Sequence, residues 1–261
     1  MEALLIDMMG DEAAIVQAAR VSYGAGTKTA SEDAALIRYL MRHWHTTPFE
    51  MVEFKFRIKC PIFVARQHFR HRTASVNELS ARYSIVPNEY WIPKEFRGQS
   101  SVNKQGSEGV LEDPFMLLYS RYVKSCEDSF KTYEELIRAG VSRELARCVL
   151  PMCTMTEFYW KIDLHNLMHY LRLRLAPEAQ QEIRELAQMI FEVLKQKLPV
   201  VAQAFEDFRL STVTFTGPEI RGDELSKGEA REFEEKKKIV NINGSPKLQA
   251  DGDDKHVTDV E

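Results

Sequence analysis

A run of three basic residues, Arg70-His71-Arg72, follows closely after an apolar segment at residues 62–65. Charged side chains beside a hydrophobic core need anionic partners, because burying an unpaired charge costs on the order of several kcal/mol. Arginine suits phosphate in particular, since its planar guanidinium donates two parallel hydrogen bonds. Seven residues separate this run from Ser80. The sequence therefore predicts an anion site at the edge of a core.

Helical geometry predicts which of these side chains share a face. On a helix of 3.6 residues per turn, Gln67, Arg70 and His71 fall within about 100° of one another, whereas Arg72 points away. One face would then hold one ligand while Arg72 reaches a second. A solvated helical face is the alternative, and the residues alone do not decide between the two.

A further cation, Arg174, stands out by its spacing. An apolar stripe at helical intervals is formed by Leu164, Leu167, Leu171 and Leu175. Arg174 lies seven residues after Leu167, so a helix that extends this far turns the guanidinium toward the core, where it needs an anion. If the helix ends earlier, Arg174 is an ordinary surface residue.

Other candidate residues carry weaker signals. Arg147 is predicted on a wet helical face, where a solvated side chain and a ligand contact are equally good readings. His165, His169 and Arg172 form a stripe at i, i+4 and i+7. A histidine pair at this spacing can bind metal, but no third ligand with suitable spacing is evident, so we predict no metal site. Ser80 is not predicted to be a nucleophile, because no obvious base accompanies it.

A strand followed by a helix must position the basic run. Val52, Phe54, Phe56 and Ile58 alternate with charged residues, which predicts a strand with one buried face. Pro61 then opens a helix, at a position where its missing N–H is harmless.

The remaining pattern predicts several helices and two short strands. The predicted strands cover residues 3–6 and 154–160. The predicted helices cover residues 11–23, a segment capped by Ser31, and residues 113–140, 142–149, 164–173, a long stretch from Pro177, and 201–208. Residues 84–112 are predicted to form a long loop.

Bulk composition fits one large globular domain. The chain has 261 residues, of which 44% are hydrophobic and 28% charged. No apolar run approaches the roughly 20 residues that span a bilayer, and the N-terminus lacks the basic start of a signal peptide. We therefore expect a cytoplasmic protein without membrane partners. The cysteines Cys60, Cys126, Cys148 and Cys153 are expected to be free thiols.

Charge is concentrated at the C-terminal end. Residues 218–261 contain 12 acidic and 8 basic side chains, whereas residues 1–217 contain 27 of each. We predict a folded domain over 1–217 and a disordered tail over 218–261, with a helix at residues 229–238 as the alternative. A neutral body with local arginine clusters does not fit a general nucleic-acid binder, which carries a broad basic face.

Five segments, in the same order, resemble the flavin-dependent thymidylate synthase family. The pattern Arg-His-Arg, seven residues, Ser is the signature of that family. The matching segments are His45–Glu50, Pro61–Gln67, Arg70–Tyr83, Ala146–Pro151 and Leu171–Arg174. The family often has glycine after the serine, where this chain has Ala81.

The resemblance implies an α+β fold with a β-sheet core, assembled as a homotetramer with sites built between subunits. The implied reaction converts dUMP to dTMP, with methylenetetrahydrofolate as the one-carbon donor and FAD, reduced by NADPH, as the source of the hydride.

The resemblance also implies roles for individual residues. Arg174 is the catalytic residue, which contacts the uracil and promotes ionisation at N3. The dUMP contacts are Gln67, His68, Phe69, Arg70, Glu78, Leu79, Ser80, Ala81, Arg82, Arg147 and Arg174. The FAD contacts are Thr47, Glu50, Arg70, His71, Arg72, Asn77, Glu78, Asp163, His165 and His169. Thr47 and Glu50 come from a neighbouring subunit.

Three motifs are missing from the sequence. It has no Gly-x-Gly-x-x-Gly after a strand and no Walker-type loop, so flavin and NADPH must bind without those modules. It also lacks the Pro-Cys-His context of the cysteine-dependent thymidylate synthases, so methyl transfer must proceed without a protein thiol.

Two other functions remain open at this point. One is a nucleic-acid-binding module, in which Arg66, Arg70, Arg72 and Arg82 hold a phosphate backbone with strong salt dependence. The other is an inactive relative that acts as a nucleotide-binding scaffold.

Overall fold

The computed structural model describes residues 1–21, 30–101, 106–111 and 115–242. The strands in these ranges are β1 (Glu2–Met9), β2 (Glu53–Pro61), β3 (Ser75–Glu78), β4 (Arg97–Gln99), β5 (Ser107–Val110) and β6 (Met155–Asp163). One antiparallel sheet has the order β1-β2-β6-β3, and β4 pairs with β5 as a separate hairpin. In β2, the side chains of Phe54, Phe56 and Ile58 have no exposed surface. This confirms the predicted strand with one buried face.

Helices connect and follow these strands in the chain. Those in the described ranges are α1 (Glu12–Arg20), α2 (Ala30–Arg42), α3 (Thr47–Glu50), α4 (Ile62–His68), α5 (Phe115–Arg138), α6 (Arg143–Ala146), α7 (Leu164–Arg174), α8 (Gln181–Lys197), α9 (Pro199–Phe205), α10 (Gly217–Arg221) and α11 (Lys227–Ile242). A 3₁₀ turn covers Arg147–Val149, and a π-helical turn covers Glu206–Leu210. None of the helices in these ranges combines the length and apolar character needed to cross a membrane.

Large side chains from the sheet and the helices form one core. Trp160 of β6, Leu171 of α7 and Leu186 of α8 are fully buried in it. Burying a large apolar side chain contributes about 1.5–3 kcal/mol relative to leaving it exposed. The core thus fixes α7 against the end of β6, where the candidate site lies. A mixed helix-and-sheet domain with a sheet core is confirmed.

Helix α7 confirms the spacing argument for Arg174. It begins at Leu164 and extends through Arg174 itself. The Asp163 carboxylate caps its start by accepting the Asn166 N–H at 2.9 Å. Helix α1 likewise follows the predicted cap, since the Asp11 carboxylate accepts the Ala14 N–H at 3.0 Å. Residue 23, its predicted end, lies outside the described residues.

Helix α4 ends earlier than the basic run requires. Its last residue is His68, so the predicted helical face of Gln67, Arg70 and His71 is wrong. Two tighter turns close the helix: the Arg70 N–H donates to the Gln67 carbonyl (3.3 Å), and the His71 N–H donates to the His68 carbonyl (3.1 Å). The basic run therefore lies in the turn after the helix.

Three other element predictions need correction. The predicted loop at 84–112 contains the hairpin of β4 and β5. Helix α8 begins at Gln181 rather than at Pro177, and Ser31 lies inside α2 rather than at its cap. The predicted start of the long helix at Asp113 lies outside the described residues.

The structure divides into two compact units, Met1–Leu210 and Ser211–Glu261. In the second unit, the N–H of Thr216 donates to the Glu219 carboxylate at 2.6 Å, and the Lys236 ammonium donates to the same carboxylate at 2.8 Å. Helix α11 contains the helix predicted at 229–238. Residues 243–261 lie outside the described residues, so their disorder stays a prediction, as does the domain boundary at 217.

Candidate active site

Arg174 lies at the C-terminal end of α7 with its guanidinium half-buried. Its Nε donates to the His71 Nε2 at 3.0 Å, and its Nη2 donates to the Gln67 carbonyl at 3.1 Å. No acidic side chain among the described residues forms an ion pair with it. Burial lowers the pKa of Arg174, since the charged form is less well solvated. The predicted need for an anion is thus left for a ligand to meet.

His71 holds the Arg174 side chain in place as a neutral ring. Burial, with Arg174 and His169 nearby, lowers the pKa of His71 to about 4. Its Nε2 must be the acceptor toward the Arg174 Nε–H, so the ring proton sits on Nδ1. The His71 ring also packs edge-on against the Tyr170 ring, with 4.9 Å between centroids.

His68 and Tyr170 are fully buried, and the Tyr170 ring packs against that of His71. The His68 side chain has no exposed surface, and its Nδ1 lies 3.1 Å from the Tyr170 hydroxyl. The centroid of its ring lies 4.2 Å from that of Trp160. Because the His68 ring lies in the core, the contact of His68 with dUMP stays a prediction, and it would have to be made by the backbone.

A second cluster follows the end of β3. Glu78 accepts a hydrogen bond from the Thr156 hydroxyl at 2.6 Å, which fixes its carboxylate. The Arg82 Nε lies 3.6 Å from the Glu144 carboxylate in an exposed pair. Ser80, which lies between Glu78 and Arg82 in the sequence, is half-buried. Within the described residues, no hydrogen bond or ion pair joins this cluster to the one around Arg174.

A pocket beside α7 contains two of the predicted flavin contacts, His165 and His169. It is lined by Met41, Trp44, His45, Thr46, Phe49, His165, Met168, His169, Arg172, Phe205 and Arg209. The His71 and His169 rings lie 5.9 Å apart, so the pocket adjoins the Arg174 cluster. Thr47 and Glu50 are the first and last residues of α3, directly after Thr46.

Trp44 is the most unusual residue of this pocket. Its φ is +63°, a conformation in which a bulky side chain is strained, and its side chain is 61% exposed. The Arg209 guanidinium lies 3.3 Å from the centre of the indole ring, and the Arg172 guanidinium lies 5.7 Å from it. The left-handed backbone of Trp44 ends α2, since the His45 N–H returns to the Leu40 carbonyl at 3.0 Å.

A family model described as thymidylate synthase complementing protein matches residues 4–200. The chain belongs to the flavin-dependent thymidylate synthase family. It is 58% identical over 217 residues to the flavin-dependent thymidylate synthase of Thermus thermophilus, covering 83% of this chain and 80% of that one. It is 50% identical over 235 residues to that of Dictyostelium discoideum, covering 87% and 78%.

A solved structure shares the fold of this flavin-dependent thymidylate synthase family member. The UMP/dUMP methylase PolB from Streptomyces cacaoi, bound with 5-Br dUMP, superposes with a TM-score of 0.73 at 32% identity. The match covers 80% of this chain and 96% of that one. The fold described above is therefore one that a nucleotide methylase uses.

The structure brings only part of the predicted family site together in one chain. Arg174 contacts both His71 and the Gln67 carbonyl, and the His169 ring lies beside that of His71. Both oxygens of the Asp163 carboxylate accept from Asn166, at 2.9 and 2.7 Å, so this side chain serves the helix cap. The remaining predicted residues are exposed or half-buried: Thr47, Glu50, Phe69, Arg70, Arg72, Asn77, Glu78, Leu79, Ser80, Ala81, Arg82, Arg147 and His165.

Arg147 is exposed, as predicted, but not for the predicted reason. A wet face for Arg147 requires its neighbours Leu145 and Val149 to lie on a buried face, but they are 63% and 38% exposed. Helix α6 ends at Ala146, so these residues do not share one regular helix. A surface with both an arginine and apolar side chains is typical of an interface.

Two residues of this region, Tyr170 and Arg209, were not predicted from the sequence. Tyr170 lies three residues after Leu167, on the apolar side of α7, where a hydroxyl needs a partner. That spacing was sufficient to single it out. Arg209 comes from a distant part of the chain, and nothing in its local sequence indicates that it covers Trp44.

None of the four cysteines is among the predicted site residues. Cys60, Cys126 and Cys153 are buried, and Cys148 is exposed. Burial raises the pKa of the Cys60 thiol and that of the Cys126 thiol to about 12. A thiol that stays protonated is a poor nucleophile.

We expect that no cysteine is essential. Changing all four to serine or alanine should preserve deoxyuridylate methylation within the same order of magnitude, because no thiolate takes part. Turnover is to be measured on a variant whose circular dichroism shows that it folds. Single substitutions provide the control: loss of turnover on changing one cysteine, with the fold intact, would establish a thiol nucleophile.

Among the residues that the structure describes, no three histidine, cysteine, aspartate or glutamate side chains are grouped closely enough to hold a metal ion.

Proposed function

We propose that this protein converts dUMP to dTMP, with methylenetetrahydrofolate as the one-carbon donor, FAD as the cofactor and NADPH as the reductant. Membership of the flavin-dependent thymidylate synthase family supports the reaction. The observation that carries the proposal is the half-buried Arg174 guanidinium, which hydrogen bonds only neutral groups among the described residues. Such a cation stabilises negative charge on a bound ligand where little water is present.

Arg174 acts on the uracil ring. Its Nη1 makes no hydrogen bond to the described residues, so this nitrogen is left for a ligand. Donating from it to the uracil stabilises the negative charge that develops when N3 loses its proton, and this activates C5. His71 and the Gln67 carbonyl hold the guanidinium in one orientation, so little reorganisation accompanies the reaction.

Ser80, Arg82 and Arg147 serve the nucleotide phosphate. Arg147 is exposed, and its guanidinium forms no hydrogen bond or ion pair with the described residues. Arg82 has only an exposed pair with Glu144, and pairs of this kind contribute little. Exchanging that pair for a phosphate is therefore favourable, because a phosphate accepts two parallel hydrogen bonds from one guanidinium.

The side chains at the α7 pocket fit FAD. Arg70 and Arg72 are exposed, and neither guanidinium forms a hydrogen bond or ion pair with the described residues. Two such guanidinium groups are the donor set that the cofactor's pyrophosphate requires. His165 and His169 line the adjoining pocket, and Thr47 and Glu50 would contribute from a neighbouring subunit. When bound, the flavin supplies the hydride that completes the methyl group.

A homotetramer with shared sites is part of this proposal. The Arg174 cluster and the Glu78–Arg82 cluster are not joined by a hydrogen bond or ion pair within the described residues. A second subunit that brings its Glu78–Arg82 segment to Arg174 would unite the two clusters in one site. Exposed apolar side chains at Met116, Leu117 and Leu145 support subunit packing. Free cysteines support a reducing compartment, the cytoplasm.

The reaction is tested by an omission experiment. Purified protein with FAD, NADPH, methylenetetrahydrofolate and dUMP is incubated without oxygen, and dTMP is measured by liquid chromatography with mass detection. We expect dTMP only when all components are present. No dTMP from the complete mixture, or dTMP without a reductant, would contradict the proposal.

The C-terminal segment is expected to be dispensable for catalysis. Residues 218–261 carry the whole net charge and few large apolar groups. Truncation after Pro218 should leave subunit assembly, flavin content and turnover nearly unchanged. Size-exclusion chromatography and flavin absorbance of the truncated protein test this. Smaller oligomers, or loss of the yellow colour, would show that Phe233, Ile239 and Val240 dock on a neighbouring subunit.

A further inference from the structure

The side chain of Gln67 belongs to a chain of hydrogen bonds that leads away from the candidate active site. Its Nε2 donates to the Gln180 Oε1 at 2.5 Å. The Gln180 Nε2 in turn donates to the Glu182 Oε2 at 2.8 Å. Gln180 lies in the connection between α7 and α8, and Glu182 lies in the first turn of α8. Both amides thus donate in the same direction, toward a carboxylate, and each bond strengthens the next.

Glu182 is a firm anchor for this chain. Its side chain is buried, with only 2% of the residue exposed. Its Oε1 accepts from the Arg97 Nη2 at 2.6 Å, so the buried charge is paired. Arg97 itself is held by the Ser107 hydroxyl (3.0 Å) and by the Gln181 Oε1 (2.8 Å). The hairpin of β4 and β5 is thereby tied to the start of α8.

The same glutamine also contacts Arg174 through its backbone. The Gln67 carbonyl accepts from the Arg174 Nη2, while the Gln67 side chain is held by Gln180. One N–H of the Gln67 amide and its Oε1 are left without a hydrogen bond in the described residues. These two groups, adjacent on one amide, match the paired acceptor and donor on the edge of a uracil ring.

We infer that Gln180 is a positioning residue for the nucleotide site, anchored by Glu182 and Arg97. It fixes one rotamer of Gln67, so that the free edge of the amide already faces the ligand. Without it, the Gln67 amide samples several rotamers, and binding must order them. The inference rests on the proposed function, because it takes Gln67 to be a contact of dUMP.

The inference is tested with Gln180→Met, which keeps side-chain length and removes the hydrogen bonds. Gln180 is exposed, so the fold does not depend on it. The dissociation constant of dUMP is measured by calorimetry on the flavin-loaded protein without folate. Loss of the hydrogen bond that holds the Gln67 amide should raise the dissociation constant of dUMP about fivefold, with flavin content and melting temperature unchanged. Gln188→Met is the matched control, since Gln188 is an exposed glutamine of α8 that donates to Glu192 outside this chain of hydrogen bonds, and it should leave the constant unchanged.

A double-mutant cycle separates positioning from a general structural effect. In the Gln67→Met background, Gln180→Met should have no further effect on dUMP affinity, because its effect acts through Gln67. Effects of the two substitutions that multiply would overturn the inference. Unchanged affinity in Gln180→Met alone would overturn the positioning role and leave the proposed function intact. Unchanged affinity in Gln67→Met alone would refute the nucleotide contact itself and the inference with it.

Discussion

Arg174→Ala is expected to abolish dTMP formation while leaving flavin bound. The guanidinium is half-buried, and it hydrogen bonds His71 and the Gln67 carbonyl rather than a carboxylate. Its charge is therefore available to a ligand, and loss of an electrostatic stabiliser of this kind costs on the order of 10²–10³ in rate. The predicted flavin contacts come from other side chains, so the yellow colour should persist. Turnover and flavin absorbance are measured on the same preparation.

Arg174→Lys is the informative companion. Lysine keeps the charge but has no Nε–H for His71 and no planar fork, so turnover should lie between that of the alanine variant and that of the unmodified protein. Arg138→Ala, an exposed arginine at the end of α5 paired with Glu134, is the control for loss of a positive charge and should not affect turnover. Near-normal turnover in Arg174→Ala would remove the central residue of the proposed mechanism.

The free energy of unfolding is expected to fall steeply in acid because of His68. Complete burial lowers the pKa of His68 from 6.5 to about 3 in the folded protein. Between these values the unfolded chain binds a proton that the folded chain does not. The contribution to stability is thus present above pH 6.5 and is lost as the pH falls through this window. At roughly 1.4 kcal/mol per pKa unit, the full loss is on the order of 5 kcal/mol.

The variant His68→Phe tests the assignment of this effect. Phenylalanine keeps a ring against Trp160 but cannot bind a proton, so unfolding free energies between pH 7 and pH 4 should vary less than in the unmodified protein. Denaturant unfolding at a fixed protein concentration provides the values. His71, with a pKa lowered to about 4, acts in the same direction but is only half-buried and contributes less. An equally steep pH dependence in His68→Phe would place the effect elsewhere.

Local patterns were sufficient to predict the scaffold of the candidate site. Alternation predicted β2, and the apolar stripe of α7 predicted that Arg174 turns toward the core if the helix extends that far. Both predictions rest on side-chain periodicity, which depends only on neighbouring residues. The cap of α7 at Asp163 follows from the same kind of local rule.

Tertiary contacts decided what the sequence could not. Helix α4 stops at His68, whose ring is buried against Trp160, a residue 92 positions away in the chain. The bond between Gln67 and Gln180 joins residues 113 positions apart. Arg209 covers Trp44 in the same way. None of these contacts has a signature in spacing or composition, so the end of the helix and the hydrogen-bond chain appeared only in the structure.

Absorbance spectroscopy of the purified protein without oxygen tests the central claim most directly. We expect a yellow protein whose flavin band bleaches when NADPH is added. The band should recover when dUMP and methylenetetrahydrofolate follow, with one dTMP formed per flavin. A protein that binds no FAD, or a band that bleaches and recovers without dTMP, would contradict the claim that this chain is a flavin-dependent thymidylate synthase.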